Sequence, residues 1–121
     1  MSRVLLIGEP DEQRERLERA IAEGPHTVRA ITSVETMSAA REWAPDIIVM
    51  DLATDAGTLP LRIGMMRDPE LARIPFVALG ESEEEARALG AQAFVRKPAT
   101  DPSGLLQLLA TITAMRFPLE M

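Results

Sequence analysis

The chain has 121 residues, 46% of them hydrophobic, and a mean hydropathy of +0.01, which fits one soluble domain able to bury a single core and excludes a disordered chain. A net charge of −6 and an aromatic content of 3% argue against direct nucleic-acid binding, which needs basic surface to release counterions and rings on which bases stack. There is no cysteine, so disulfides and thiolate chemistry are excluded. No apolar run approaches the roughly 20 residues of a membrane span, and no signal peptide is recognisable, so a single cytoplasmic domain over residues 1–121 is expected.

In chain order, apolar runs alternate with stretches of helical period. The first strand is expected at Val4–Ile7, followed by a helix opening at Pro10 with Leu17, Ala20 and Ile21 on one face. Its other face carries Glu12–Arg16, Arg14–Glu18 and Glu15–Arg19 at i,i+4 spacing, the pattern of a solvated surface. A second strand, Thr27–Ile31, leads to a helix that opens on the capping box Thr32-Ser33-Val34-Glu35 and ends before Ala44-Pro45,. The single histidine, His26, falls in the connection between helix and strand. Strand three is Ile47–Met50, and the third helix runs from about Pro60 to Arg67, closed by Asp68-Pro69,. Strand four is Phe76–Leu79; the fourth helix opens on Ser82-Glu83-Glu84-Glu85 and stops at Gly90,. Capping and the helix dipole account for that acidic cluster. The fifth strand is Ala93–Val95, and the last helix begins at Asp101-Pro102 with Leu105, Leu109 and Ile112 among its apolar residues,.

Strands that alternate with helices imply right-handed crossovers and a doubly wound parallel sheet of the α/β class. The strands are continuous apolar runs, as expected where both sheet faces are covered. Ligands of such sheets bind at the carboxyl ends of the strands. Glu9, Asp51 and Lys97 follow the first, third and fifth apolar runs. Two carboxylates and a backbone carbonyl suit Mg²⁺, which takes oxygen ligands and keeps several waters. An aspartate beside that ion can attack phosphorus, and a lysine can neutralise phosphoryl oxygens. On spacing alone, a strand-end aspartate serves equally well as a cap for the following loop, and Lys97 as a structural salt-bridge partner of Glu9 or Asp51.

The segments Val4-Leu5-Leu6-Ile7-Gly8-Glu9, Pro45-Asp46-Ile47-Ile48-Val49-Met50-Asp51-Leu52 and Gly90-Ala91-Gln92-Ala93-Phe94-Val95-Arg96-Lys97-Pro98 resemble the receiver domain of response regulators over nearly the whole chain. The resemblance implies a flavodoxin-like sheet of order 2-1-3-4-5, with Asp51 as phosphoacceptor and Lys97 as its phosphoryl partner. It implies Mg²⁺ held by Glu9, Asp51 and the backbone carbonyl of Ala53, and Phe94 at the position of the switch aromatic. It also implies a cis peptide before Pro98, a histidine kinase or phosphotransfer protein as donor, and a downstream effector protein or domain. No enzymatic turnover and no membrane or nucleic-acid partner are expected; a homodimer is left open.

Three departures from the family pattern stand out. Gly8 replaces one of two adjacent acids, so a weakened Mg²⁺ site is expected. Gly80 stands where a Thr or Ser hydroxyl usually binds the phosphoryl group, so impaired switching is expected. The interval from Gly80 to Lys97 is about five residues short, more than one turn at about 3.6 residues per turn, so a shortened fourth helix is expected. These departures support an alternative reading, a phosphorylation-independent pseudo-receiver that acts as an interaction module.

Overall fold

The five apolar runs form five strands in the computed structural model, which describes residues 2–9, 11–32, 36–52, 58–96 and 103–116. They are β1 (Ser2–Ile7), β2 (His26–Ile31), β3 (Ile47–Asp51), β4 (Phe76–Gly80) and β5 (Ala93–Arg96). All neighbouring pairs are parallel, in the order β2-β1-β3-β4-β5. The expected doubly wound sheet and its order are therefore present.

Alternation along the strands divides the core between two faces. Leu5, Ile7, Ile48, Met50, Phe76 and Ala78 point to one side, where they meet α2 (Thr36–Trp43), α3 (Thr58–Arg67), α4 (Pro69–Ala72) and α5 (Glu83–Ala88). Val4, Leu6, Ile47, Val49, Val77 and Leu79 point to the other, against Leu17 and Ile21 of α1 (Glu12–Glu23) and Leu105, Leu109 and Ile112 of α6 (Ser103–Arg116). Four consecutive residues of β3, Ile47 to Met50, are each 0% exposed, which explains why that run shows no polar alternation.

Local chemistry sets the helix ends. Asp11 caps α1 by accepting from Arg14 N at 2.8 Å, and Ser82 Oγ caps α5 by accepting from Glu85 N at 3.1 Å,. Gly90, at φ +82, turns the chain after α5, and Ala44, at φ 51, turns it after α2,. The expected openings at Pro10, at residues 33–35 and at Asp101-Pro102 lie outside the described residues.

Three expectations change. Asp68 does more than close α3. Its Oδ1 accepts from Glu70 N at 3.0 Å and Leu71 N at 3.4 Å, starting the additional helix α4. Its Oδ2 accepts from Arg41 Nη2 of α2 at 2.9 Å, and that bond is the main cause of a lowered Asp68 pKa. With α4 present, the fourth helix of the sequence reading is α5, which spans only 6 residues. His26 is the first residue of β2 and is 7% exposed, not a loop residue, because its backbone continues the ladder opposite Ser2. Arg14 also leaves the solvated face expected of it, as its contacts below show.

Arg62 of α3 is a further departure from surface expectation, only 4% exposed. Its Nε donates to Leu89 O at 2.8 Å and its guanidinium carbon lies 4.1 Å from the Phe76 ring centroid. The arginine thus ties α3 to the end of α5, with the ring face offsetting part of the cost of burying charge.

Candidate functional site

Asp51 is the last residue of β3, and the parallel ladders decide its neighbours. Met50 pairs with Ile7 of β1 and Asp51 with Leu79 of β4, so the aspartate emerges between the ends of β1 and β4. Both ends carry glycine. A Cβ placed on Gly8 would lie 3.3 Å from Asp51 Cβ and 3.8 Å from Asp51 Oδ2. The Asp51 side chain therefore rests against bare backbone. It is half-buried, with Oδ1 withdrawn from solvent.

On the other flank, a Cβ on Gly80 would lie 3.3 Å from Leu52 Cβ and 3.7 Å from Phe94 Cε1. The space that a threonine or serine side chain would enter is bounded by these two apolar groups. Leu52 is held there by its N–H, which donates to Leu79 O at 2.7 Å. Phe94 is half-buried and packs against the core on the α2–α5 side. Beyond it, Arg96 pairs with Gly80 across the sheet and its Nη1 donates to Glu81 O at 2.7 Å.

The sequence-predicted residues are thus brought together in part. Asp51 and Gly80 end adjacent strands, the Phe94 ring reaches Gly80 from within β5, and Glu9 follows β1 as an exposed residue of the adjoining loop. Ala53, Lys97 and Pro98 lie outside the described residues.

The structure adds two residues that the sequence reading missed. Arg14 of α1 turns back over the end of β1, where its Nη1 donates to Gly8 O at 3.0 Å. Gln13, Arg14 and Asp51 line a common cavity, floored by Leu6, Leu17 and Leu79, of about 10 Å³, about the room one water needs. Arg14 Nε and Gln13 Nε2 are buried there without a hydrogen-bond partner among the described residues. No sequence signal marked them, because i,i+4 spacing assigns Arg14 to an ion pair with Glu18 as readily as to an inward turn. The one available hint was Gly8, whose missing side chain leaves room above Asp51.

These lining groups fit a divalent cation poorly. Among the described residues no group of three or more His, Cys, Asp or Glu side chains gathers to hold a metal. Next to Asp51 the polar side chains of this pocket are the Arg14 guanidinium and the Gln13 amide; the first offers no oxygen to Mg²⁺, which requires oxygen ligands.

Comparison with known proteins agrees with this geometry. No protein-family model matches the chain. The polar-differentiation response regulator DivK of Brucella ovis is 31% identical over 110 residues, covering 84% of this chain and 89% of the relative. DivK of Brucella anthropi matches to the same extent, 31% over 110 residues. Among solved structures, the chemotaxis response regulator CheY4 of Vibrio cholerae superposes with a TM-score of 0.82 at 19% identity, over 93% of this chain and 98% of that one. The receiver domain of a histidine kinase from Syntrophus aciditrophicus superposes with a TM-score of 0.77 at 20% identity, over 99% and 96% of the two chains. At such identities the structures establish the fold, and the DivK relatives establish the family. With its sheet order and its strand-end aspartate, the chain belongs to the response-regulator receiver domains of two-component signalling.

Proposed function

We propose that this receiver accepts a phosphoryl group on Asp51, with a weakened Mg²⁺ site and impaired switching. The observation that carries the reading is the placement of Asp51 at the end of β3, half-buried between the ends of β1 and β4. A carboxylate oxygen there can attack the phosphorus of a phosphohistidine. The new P–O bond forms as the P–N bond breaks, and the imidazole leaves with the electron pair. Lys97, one residue beyond β5 in sequence, is the residue to neutralise the transferred oxygens; Glu9 and the Ala53 carbonyl would be the oxygen ligands left beside Asp51 for Mg²⁺, and the cationic Arg14 at the same pocket is a reason for that site to be weak. Mg²⁺, when bound, supplies charge neutralisation at the phosphoryl oxygens. Receiver domains work with histidine kinases and effectors, so a histidine kinase or phosphotransfer protein is the donor we assign, and an effector protein or domain the recipient of the signal. Brucella DivK is named a polar-differentiation response regulator. We carry only the regulator role over to this chain.

Impaired switching follows from the Gly80 side. With no hydroxyl on Gly80, and with Leu52 Cβ 3.3 Å and Phe94 Cε1 3.7 Å from where its Cβ would be, a phosphoryl group gains no contact there that differs between two states. A ligand shifts a conformational equilibrium only by its differential affinity for the states. The same observation favours a second reading, the phosphorylation-independent interaction module.

Intact-mass measurement after incubation with acetyl phosphate and millimolar Mg²⁺ separates the two readings. The first predicts a single phosphoryl adduct that Asp51→Asn abolishes. Absence of the adduct at saturating donor would leave the interaction module.

A further inference from the structure

We infer that Arg14 is a tethered cation of the Asp51 site, and that the pocket it closes is built for an oxygen acceptor and not for a divalent metal. The inference rests on Asp51 being the functional carboxylate of this receiver.

Three observations carry it. First, Arg14 is anchored: its Nη1 donates to Gly8 O at 3.0 Å, which holds the guanidinium over the strand end beside Asp51. Second, position 8 carries no side chain beside Asp51. A Cβ on Gly8 would already stand 3.3 Å from Asp51 Cβ, and a carboxylate beyond it would enter the space between the two. Third, Arg14 Nε is buried in the cavity shared with Asp51, with no acceptor for it among the described residues. Gln13 Nε2 is buried in the same way.

The chemistry of Arg14 has one direction. A guanidinium has five donors, no acceptor and a permanent charge. It cannot ligate a metal, and it repels one. A buried donor without a partner costs free energy that an oxygen acceptor removes. The cavity volume of about 10 Å³ matches one water or one oxygen. At position 8, where the family pattern has an acid, bare backbone instead accepts from Arg14. A carboxylate that would recruit a mobile cation is replaced by a cation held on α1.

Titration with Mn²⁺, read as the electron paramagnetic resonance signal of the free ion, tests this on the whole chain. Arg14→Met, which removes the charge and keeps much of the bulk, should bind Mn²⁺ on the order of tenfold more tightly than the native chain, the scale of a Coulomb term between partly buried charges. Arg14→Lys, which keeps the charge, should stay within about threefold of native affinity on the same argument. Arg14→Gln, which keeps a donor for Gly8 O, repeats the test if Arg14→Met does not fold by circular dichroism. Native or weaker Mn²⁺ affinity in the folded neutral variant would overturn the tethered cation and leave Asp51 phosphorylation standing. Tight Mn²⁺ binding that survives Asp51→Asn in the Arg14→Met background would instead overturn Asp51 as the centre of the site.

Discussion

Replacing Gly8 with aspartate puts a second carboxylate beside Asp51, and the cost and gain of that change can both be worked out. The new Cβ would meet Asp51 Cβ at 3.3 Å, so the neighbouring side chain must yield by a few tenths of an ångström, a crowding cost of about 1 kcal/mol. Two carboxylates about 4–5 Å apart repel by roughly 3–4 kcal/mol at an effective dielectric of about 20. Asp51 is only half-buried, and solvent screening together with the Arg14 guanidinium held on Gly8 O reduces that repulsion to about 1–2 kcal/mol. Without metal, Gly8→Asp should therefore lose about 2–3 kcal/mol of stability. With metal that loss is offset, because the pair now supplies oxygen ligands. A dissociation constant of about 0.1 mM would return about 2.7 kcal/mol at about 10 mM Mg²⁺. Urea unfolding of the native chain and the variant, with and without Mg²⁺, reads both terms. Equal stability of the two chains without metal, or a variant that Mg²⁺ does not stabilise, would refute the reasoning about the space beside Asp51.

Substitutions at three other positions probe other parts of the fold. Gly80→Thr meets Leu52 Cβ at 3.3 Å and should cost about 1 kcal/mol while enlarging the response of Phe94 to a phosphoryl mimic; an unchanged Phe94 response in NMR spectra would place the limit on switching elsewhere. Arg62→Ala removes the Nε bond to Leu89 O and the stacking on Phe76 and should destabilise by about 3 kcal/mol. Arg62→Met fills the space without burying charge and should cost at most about 1.5 kcal/mol, so equal losses in thermal unfolding would contradict the assigned latch. Burial holds the His26 imidazole below its ordinary pKa of 6.5, so the unfolded chain binds the proton more readily than the folded one. The His26 contribution is complete above about pH 6.5 and is lost as pH falls through the lowered pKa. His26→Gln should flatten that part of the pH–stability curve, and a curve parallel to that of the native chain would exclude this origin.

Much of the fold was legible because burial on both sheet faces leaves a plain trace. The runs around Val4–Ile7 and Ile47–Met50 lie fully inside β1 and β3, and Ser82 and Gly90 mark α5 through local capping chemistry. Helix α4 was missed because Asp68-Pro69 reads equally well as the end of one helix and the start of the next. The acceptor position was legible because Asp51 directly follows an apolar strand. Arg14 and Arg62 were not, because a long cationic side chain looks the same in sequence whether its head reaches water, a carbonyl such as Gly8 O, or a ring such as Phe76. What surrounds Asp51 depends on the direction of those side chains, which tertiary packing decides.

The central claim is that Asp51 still accepts a phosphoryl group in a site whose switch is weakened. Two-dimensional NMR of the chain with beryllofluoride and Mg²⁺ tests it most directly. Shifts are expected at Gly8, Leu52 and Gly80 that fade before α5 and vanish in Asp51→Asn. Spectra that do not change at saturating beryllofluoride, or that change equally in Asp51→Asn, would contradict it.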